Sequence, residues 1–312
     1  MTQLMARAPR HVVAIALAAG VVAFAAAWLM MLPGPTVVMI GGPDNLCRVY
    51  PPGSGAPPRV LISLHTWNGD YLQEDPMLGE AMRRGWGYIR PDLGGPNNRP
   101  ESCLAPEVID RLDEVVDFCG AAWGVPPERV HLVGHSGGGF TALGYWHLGR
   151  RRLGSIQAWN PIADLFAWHE FCRVRPHLVK YSEGIESAIG GPPLARADEA
   201  RRRSPVYMAI PPASRPVPLR IYAGISDGWK GSVPVSQSTR YVNRLAEHGL
   251  IGRISSELAE LLHGGDMSAL AGHPLLVANG MLVHGNPSLR LHVFDGGHEM
   301  RVPVSWQHLE NE

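Results

Sequence analysis

The sequence predicts an α/β fold, a mainly parallel central sheet with helices on both faces, and three observations carry that expectation. Short apolar runs alternate with stretches of helical period; one serine flanked by glycines stands between such a run and the next helix; and the 36 Gly and 28 Pro are spread along the chain as turn punctuation. With 312 residues, 45% of them hydrophobic, the chain can bury one large core. Its 28 basic and 28 acidic residues balance, which removes the electrostatic footprint of a nucleic-acid binder. No internal repeat is visible.

Taken in order, the first element is an uncharged run from Val12 to Leu32, preceded by Arg7, Arg10 and His11 and stopped by Pro33-Gly34-Pro35. Its length suits a bilayer-spanning helix, and the basic flank points the rest of the chain outward. Residues 1–34 are therefore expected to be an N-terminal membrane anchor or, with Ala23, Ala25 and Ala27 offering a weak cleavage site, a signal peptide. Either way the catalytic part is expected outside the cytoplasm, anchored and facing the periplasm or exterior, or secreted. Residues 35–58 read as a linker with the first strands, and 59–312 as the catalytic domain.

Within that domain Arg59–His65 is a short apolar run of buried-strand type, Glu74–Arg84 a helix and Gly85–Arg90 the start of another strand. Val108, Leu112, Val115, Cys119 and Ala122 recur at helical spacing, which predicts an amphipathic helix over 106–123. A strand at Arg129–Val133 leads into the glycine-serine turn and a helix running to His147. Further strands fall at Ser155–Trp159, Leu219–Ala223 and Leu289–Phe294. Two insertions, about 161–216 and 250–288, break the rhythm; the first lies where such sheets carry a small lid. The four cysteines, Cys47, Cys103, Cys119 and Cys172, form no C-x-x-C pair, so no zinc or thioredoxin-like site is expected; in an oxidising compartment their even number suggests one or two disulfides.

The chemistry sits in Gly134-His135-Ser136-Gly137-Gly138, a G-x-S-x-G placed directly after a strand and before a helix, as an α/β-hydrolase nucleophile requires. A sharp turn must lift the Ser136 hydroxyl clear of the sheet, and the amide of Gly137, at a helix N-terminus, then faces the developing oxyanion. A serine needs a histidine base held by a carboxylate, in the chain order Ser, acid, His. His298 follows the strand ending at Phe294 through the turn Asp295-Gly296-Gly297. Asp227 stands in the loop leaving the carboxyl end of the 219–223 strand. Asp295 is a rival too near His298 in sequence; Asp164 reads as a helix N-cap, and His263, His273 and His284 as solvated or packing residues. The second oxyanion donor is expected from the amide of Trp67 or Thr66, with His65 structural; the Trp67 indole reads equally as pocket lining or packing. No metal-ligand spacing and no phosphate cradle appear, so no cofactor or metal is expected.

At this point the chain resembles the catalytic domain of the prolyl oligopeptidase-like (S9-type) serine hydrolases. The resemblance rests on Leu64-His65-Thr66-Trp67-Asn68-Gly69-Asp70, Arg90-Pro91-Asp92-Leu93-Gly94-Gly95-Pro96-Asn97, Gly134–Gly139, Arg203-Ser204-Pro205, Gly224-Ile225-Ser226-Asp227 with Val233-Pro234, and Gly296-Gly297-His298-Glu299. Carried over position by position, it implies the same triad of Ser136, Asp227 and His298. Three departures stand out. His65-Thr66 replaces the family's His-Gly, the spacing from Asp227 to Val233 is longer, and only about 25 residues precede the first confident strand after the apolar run, with no β-propeller. That last departure ranks a carboxylic ester hydrolase above an S9-type peptidase, so the expected partner is a small ester or a peptide. The reading from another class is a membrane-tethered, non-catalytic binding domain; oligomeric state is not legible.

Overall fold

In a computed structural model, the described residues are 12–14, 35–42, 45–52, 59–211, 217–276 and 280–311. Apart from Val12–Ala14, the apolar run expected to form an anchor or signal peptide lies outside them. No helix among the described residues is long and apolar enough to cross a membrane.

The strands are β1 (Val12–Ala14), β2 (Thr36–Met39), β3 (Leu46–Tyr50), β4 (Val60–Leu64), β5 (Gly87–Pro91), β6 (Val130–His135), β7 (Ser155–Trp159), β8 (Leu219–Gly224), β9 (Leu282–Gly285) and β10 (Leu289–Phe294). They form one sheet in the order β1-β2-β3-β5-β4-β6-β7-β8-β10-β9. The centre, from β5 across to β10, is parallel; β2 on β3, β3 on β5 and β9 on β10 are antiparallel. Every residue of β4, β5, β7 and β8 is buried, as strands covered on both faces must be. This is the mixed, mostly parallel sheet of the α/β-hydrolase fold.

The helices are α1 (Pro76–Arg83), α2 (Pro106–Trp123), α3 (Gly137–Leu148), α4 (Leu165–Arg173), α5 (Val179–Ile189), α6 (Ala197–Arg203), α7 (Ser236–Glu247), α8 (Ser256–His263) and α9 (Val302–Glu310). One face of the sheet is covered by Met77 and Ala81 of α1 with Trp306 and Leu309 of α9; α2, α3 and α7 bury their apolar stripes in the larger core on the other face. Helix α2 occupies the bounds its period predicts: Pro106 opens it, where its missing amide costs nothing, and Gly124 at φ 66° closes it. The insertion after β7 is the three-helix segment α4–α6, which Asp164 opens as expected, its Oδ1 accepting from the amides of Phe166 (3.0 Å) and Ala167 (3.2 Å).

The cysteines correct an expectation. All four are free thiols, and all are buried. Cys47 (β3) and Cys119 (α2) fill the main core, the Cys119 thiol donating to the Val115 carbonyl at 3.2 Å, while Cys103 and Cys172 are packed beneath α6 and within α4. They behave as small apolar residues, and burial pushes the thiols of Cys103 and Cys172 up to about 12.

Candidate active site

The strand β6 ends at His135, and Ser136 then adopts φ 59°, ψ −118° before α3 begins. That left-handed turn costs of order 1–3 kcal/mol for a residue with a side chain. It is held by the Ser136 amide donating to the Trp159 carbonyl at 2.8 Å and by its own carbonyl accepting from Phe140 at 2.9 Å. The flanking glycines are dictated by approach distances. A Cβ on Gly134 would lie 2.1 Å from the Gly138 carbonyl oxygen, and one on Gly137 would lie 2.4 Å from the Trp67 amide nitrogen.

Asp227 lies in the loop after β8, buried, with both carboxylate oxygens in use. Oδ1 accepts from the amides of Gly228 (2.9 Å) and Val233 (3.1 Å), and Oδ2 lies 2.6 Å from His298 Nδ1. A carboxylate only accepts, so Nδ1 carries the proton and Nε2 is left as the basic nitrogen. The long spacing to Val233 is thus compatible with a closed acid loop, because Val233 returns to the carboxylate; the extra residues bulge outward and leave Trp229 74% exposed.

His298 is brought to the elbow by a clamp that sequence reasoning missed. Asn160, directly after β7, takes φ 44° and is buried. Its Nδ2 donates to the carbonyls of Glu299 (3.0 Å) and Gly297 (3.4 Å), its Oδ1 accepts from Gly224 (2.9 Å), and its amide donates to Tyr222 at 2.7 Å. One side chain therefore ties the end of β8 to the turn that carries His298. The only hint in the sequence is a polar residue between a strand and Pro161. The His135 ring packs 4.7 Å from that of His298, and burial with the nearby His298 pushes His135 down to about 3, so it stays neutral. No hydrogen bond joins Ser136 to His298 among the described residues. Such contacts often tighten only once substrate is bound.

Of the amides expected to serve as oxyanion donors, the Thr66 amide is committed to Gln73 Oε1 at 2.9 Å, which leaves the Trp67 amide uncommitted in that loop. The Trp67 amide nitrogen lies close against Gly137, and among the described residues neither the Trp67 nor the Gly137 amide makes a hydrogen bond. The Trp67 indole is packing: it is 2% exposed, wedged between Phe140 and Trp168. His65 is structural, its ring nitrogens 2.9 Å from the carbonyls of Thr66 and Asp92. Trp67 is itself pinned by its carbonyl, which accepts from Asn97 at 2.7 Å; Asn97 Oδ1 in turn accepts from Cys103 at 3.2 Å. Buried Arg203 of α6 donates to the carbonyls of Pro100 (2.9 Å), Ser102 (2.8 Å) and Cys103 (3.3 Å), fixing that loop.

The remaining candidates make other contacts or face solvent. Asp295 is exposed, and His263, His273 and His284 bond to Thr239, Leu275 and Gly252. No cluster of metal-ligating side chains occurs among the described residues.

No protein-family model and no curated protein matches the sequence. Solved structures do. A puromycin-hydrolyzing peptidase of Mycobacterium tuberculosis matches over 90% of this chain and 40% of its own, with 17% identity and a TM-score of 0.59. A puromycin hydrolase matches over 89% and 38%, with 17% identity and a TM-score of 0.56. A dipeptidyl peptidase 4 of Porphyromonas gingivalis matches over 89% and 35%, with 14% identity and a TM-score of 0.59. At such identities the likeness is one of fold, and the chain spans about two fifths of these proteins' length: it shares the α/β-hydrolase fold with part of each of these peptidases.

Proposed function

We propose that this chain is a serine hydrolase that works through an acyl-enzyme. The observation that carries the reading is the 2.6 Å bond that His298 Nδ1 donates to Asp227, with the His298 ring 4.7 Å from that of His135, the residue before a serine on a left-handed elbow. In the proposed cycle His298 Nε2 takes the Ser136 proton as the hydroxyl attacks the acyl carbon. The amides of Gly137 and Trp67 hold the oxyanion. The imidazolium, steadied by Asp227, protonates the leaving group, and water, activated by the same imidazole, releases the acid.

Whether the scissile bond is an ester or an amide is the finer question. The peptidases that share the fold favour a peptide bond; the reading of the sequence favours a small carboxylic ester. A fluorophosphonate probe should label the wild-type chain and not Ser136→Ala; an unlabelled, folded wild type would overturn the hydrolase reading and favour a binding domain. Turnover of p-nitrophenyl acetate against an alanyl or prolyl p-nitroanilide then separates esterase from peptidase: comparable rates support the peptidase, and a silent anilide supports the esterase. We also propose export, on the strength of the basic flank and uncharged run at residues 7–32. A phosphatase fused after residue 58 and inactive in cells would refute it.

A further inference from the structure

Beside the catalytic acid lies a cavity of about 200 Å³ that the cycle above does not use, lined by Asp227, Trp229, Phe171, Arg175, Val235 and His263 among others. Its walls come from the lengthened acid loop, from the end of α4 and from α8. Two features set its chemistry. The Trp229 indole is 74% exposed at its rim, a large apolar surface left facing solvent. Arg175 has its guanidinium 3.7 Å over the Phe171 ring and donates to the Phe171 carbonyl at 2.8 Å, so it is held flat against the wall, and it makes no ion pair among the described residues.

The other charges do not answer Arg175. Asp227 already serves His298 and two amides. Burial and the nearby Arg240 push His263 down, so it is neutral at pH 7. Lys230, exposed on the same loop, adds a second cation without an ion pair among the described residues. A guanidinium preordered on the Phe171 ring, in a cavity that Trp229 also lines, matches a carboxylate on an apolar body, because the planar fork pairs with the carboxylate while the rings cover the rest.

We propose that this cavity is a substrate subsite for a carboxylate carried on an aryl or alkyl group, which makes the preferred substrates anionic esters or amides. The proposal rests on the hydrolase reading above. The cavity itself is read without turnover by calorimetric titration of the full chain with 4-phenylbutyrate and with its neutral amide. The acid should bind at least tenfold tighter than the amide in wild type, falling to parity in Arg175→Gln; Trp229→Ala should weaken both alike. Equal binding in wild type, or no binding, overturns the proposal. In hydrolysis of p-nitrophenyl octanoate, 4-phenylbutyrate should raise KM and leave kcat; tight binding without competition would show a cavity off the substrate path and overturn the subsite. Fluorophosphonate labelling of the same samples keeps the two readings apart. Labelled Ser136 without acid binding sinks the subsite alone, whereas binding without labelling sinks the hydrolase reading and, with it, the assignment to substrate.

Discussion

Gly137→Ala is the sharpest probe of the oxyanion geometry. The added methyl would sit 2.4 Å from the Trp67 nitrogen and 2.5 Å from its Cα, both main-chain atoms that cannot swing aside. Ordinary contact begins at about 3.5 Å, so the elbow and the Trp67 loop must part by about 1 Å. A donor set for an oxyanion at about 2.7–3.1 Å is then carried beyond the reach of a hydrogen bond. Losing one such donor costs about 10²–10³ in kcat, or about 2.7–4 kcal/mol of barrier. The assay is steady-state hydrolysis of the better substrate of p-nitrophenyl acetate and the p-nitroanilide, with KM, melting temperature and fluorophosphonate labelling measured alongside. The expected variant melts as a folded protein, is still labelled slowly at Ser136, and loses kcat with KM little changed. A folded Gly137→Ala with wild-type kcat would show that the Trp67 amide contributes nothing to the transition state.

Other outcomes follow from the same geometry. Asn160→Ala removes the side-chain bonds to Gly224, Gly297 and Glu299, worth about 1 kcal/mol each, and should lower both melting temperature and kcat, with kcat falling tenfold or more at constant KM; a pure stability loss with kcat intact would make Asn160 a fold residue only. Burial holds His131, His135 and His292 at about 3, and His147 at about 4, below the free value of about 6.5. The folded state therefore binds fewer protons in that window, so stability is whole above about pH 6.5 and drains as pH falls toward 3. His292 stacks on Tyr222 with neither ring nitrogen partnered, so His292→Phe should shrink the loss of melting temperature between about pH 7.5 and 5; an unchanged loss refutes that assignment. The four buried thiols should be inert to a thiol-specific reagent until denaturant is added, and rapid reaction of any one in the native protein would contradict its burial.

What the sequence reveals, and what it hides, has physical reasons. Strands β4, β6, β7, β8 and β10 are buried runs next to turn residues, and α2 repeats its apolar residues at helical spacing, so both kinds of signal survive in one dimension. The placement of Ser136, Asp227 and His298 after the ends of β6, β8 and β10 is legible because each follows an apolar run and a turn. By contrast β2, β3 and β9 are short, antiparallel and near the sheet edges, where a few residues read as loop. The helices α4–α6 sit in a stretch of Arg, Pro and Trp that blurs their period. Asn160 belongs to no motif; its role exists only because three chain segments meet there. The disulfide expectation failed because an even count of cysteines carries no information about distance.

The route from α6 to Trp67 has a mechanical consequence. Arg203 grips three carbonyls of the loop that bonds through Asn97 to the Trp67 carbonyl. The Trp67 amide, the proposed oxyanion donor, is thereby suspended from the helices roofing the sheet, and a guest that levers those helices moves the amide by the same stroke. Selectivity and turnover then share one strut, and mutations that reshape the roof to admit a new guest will be felt as changes in rate.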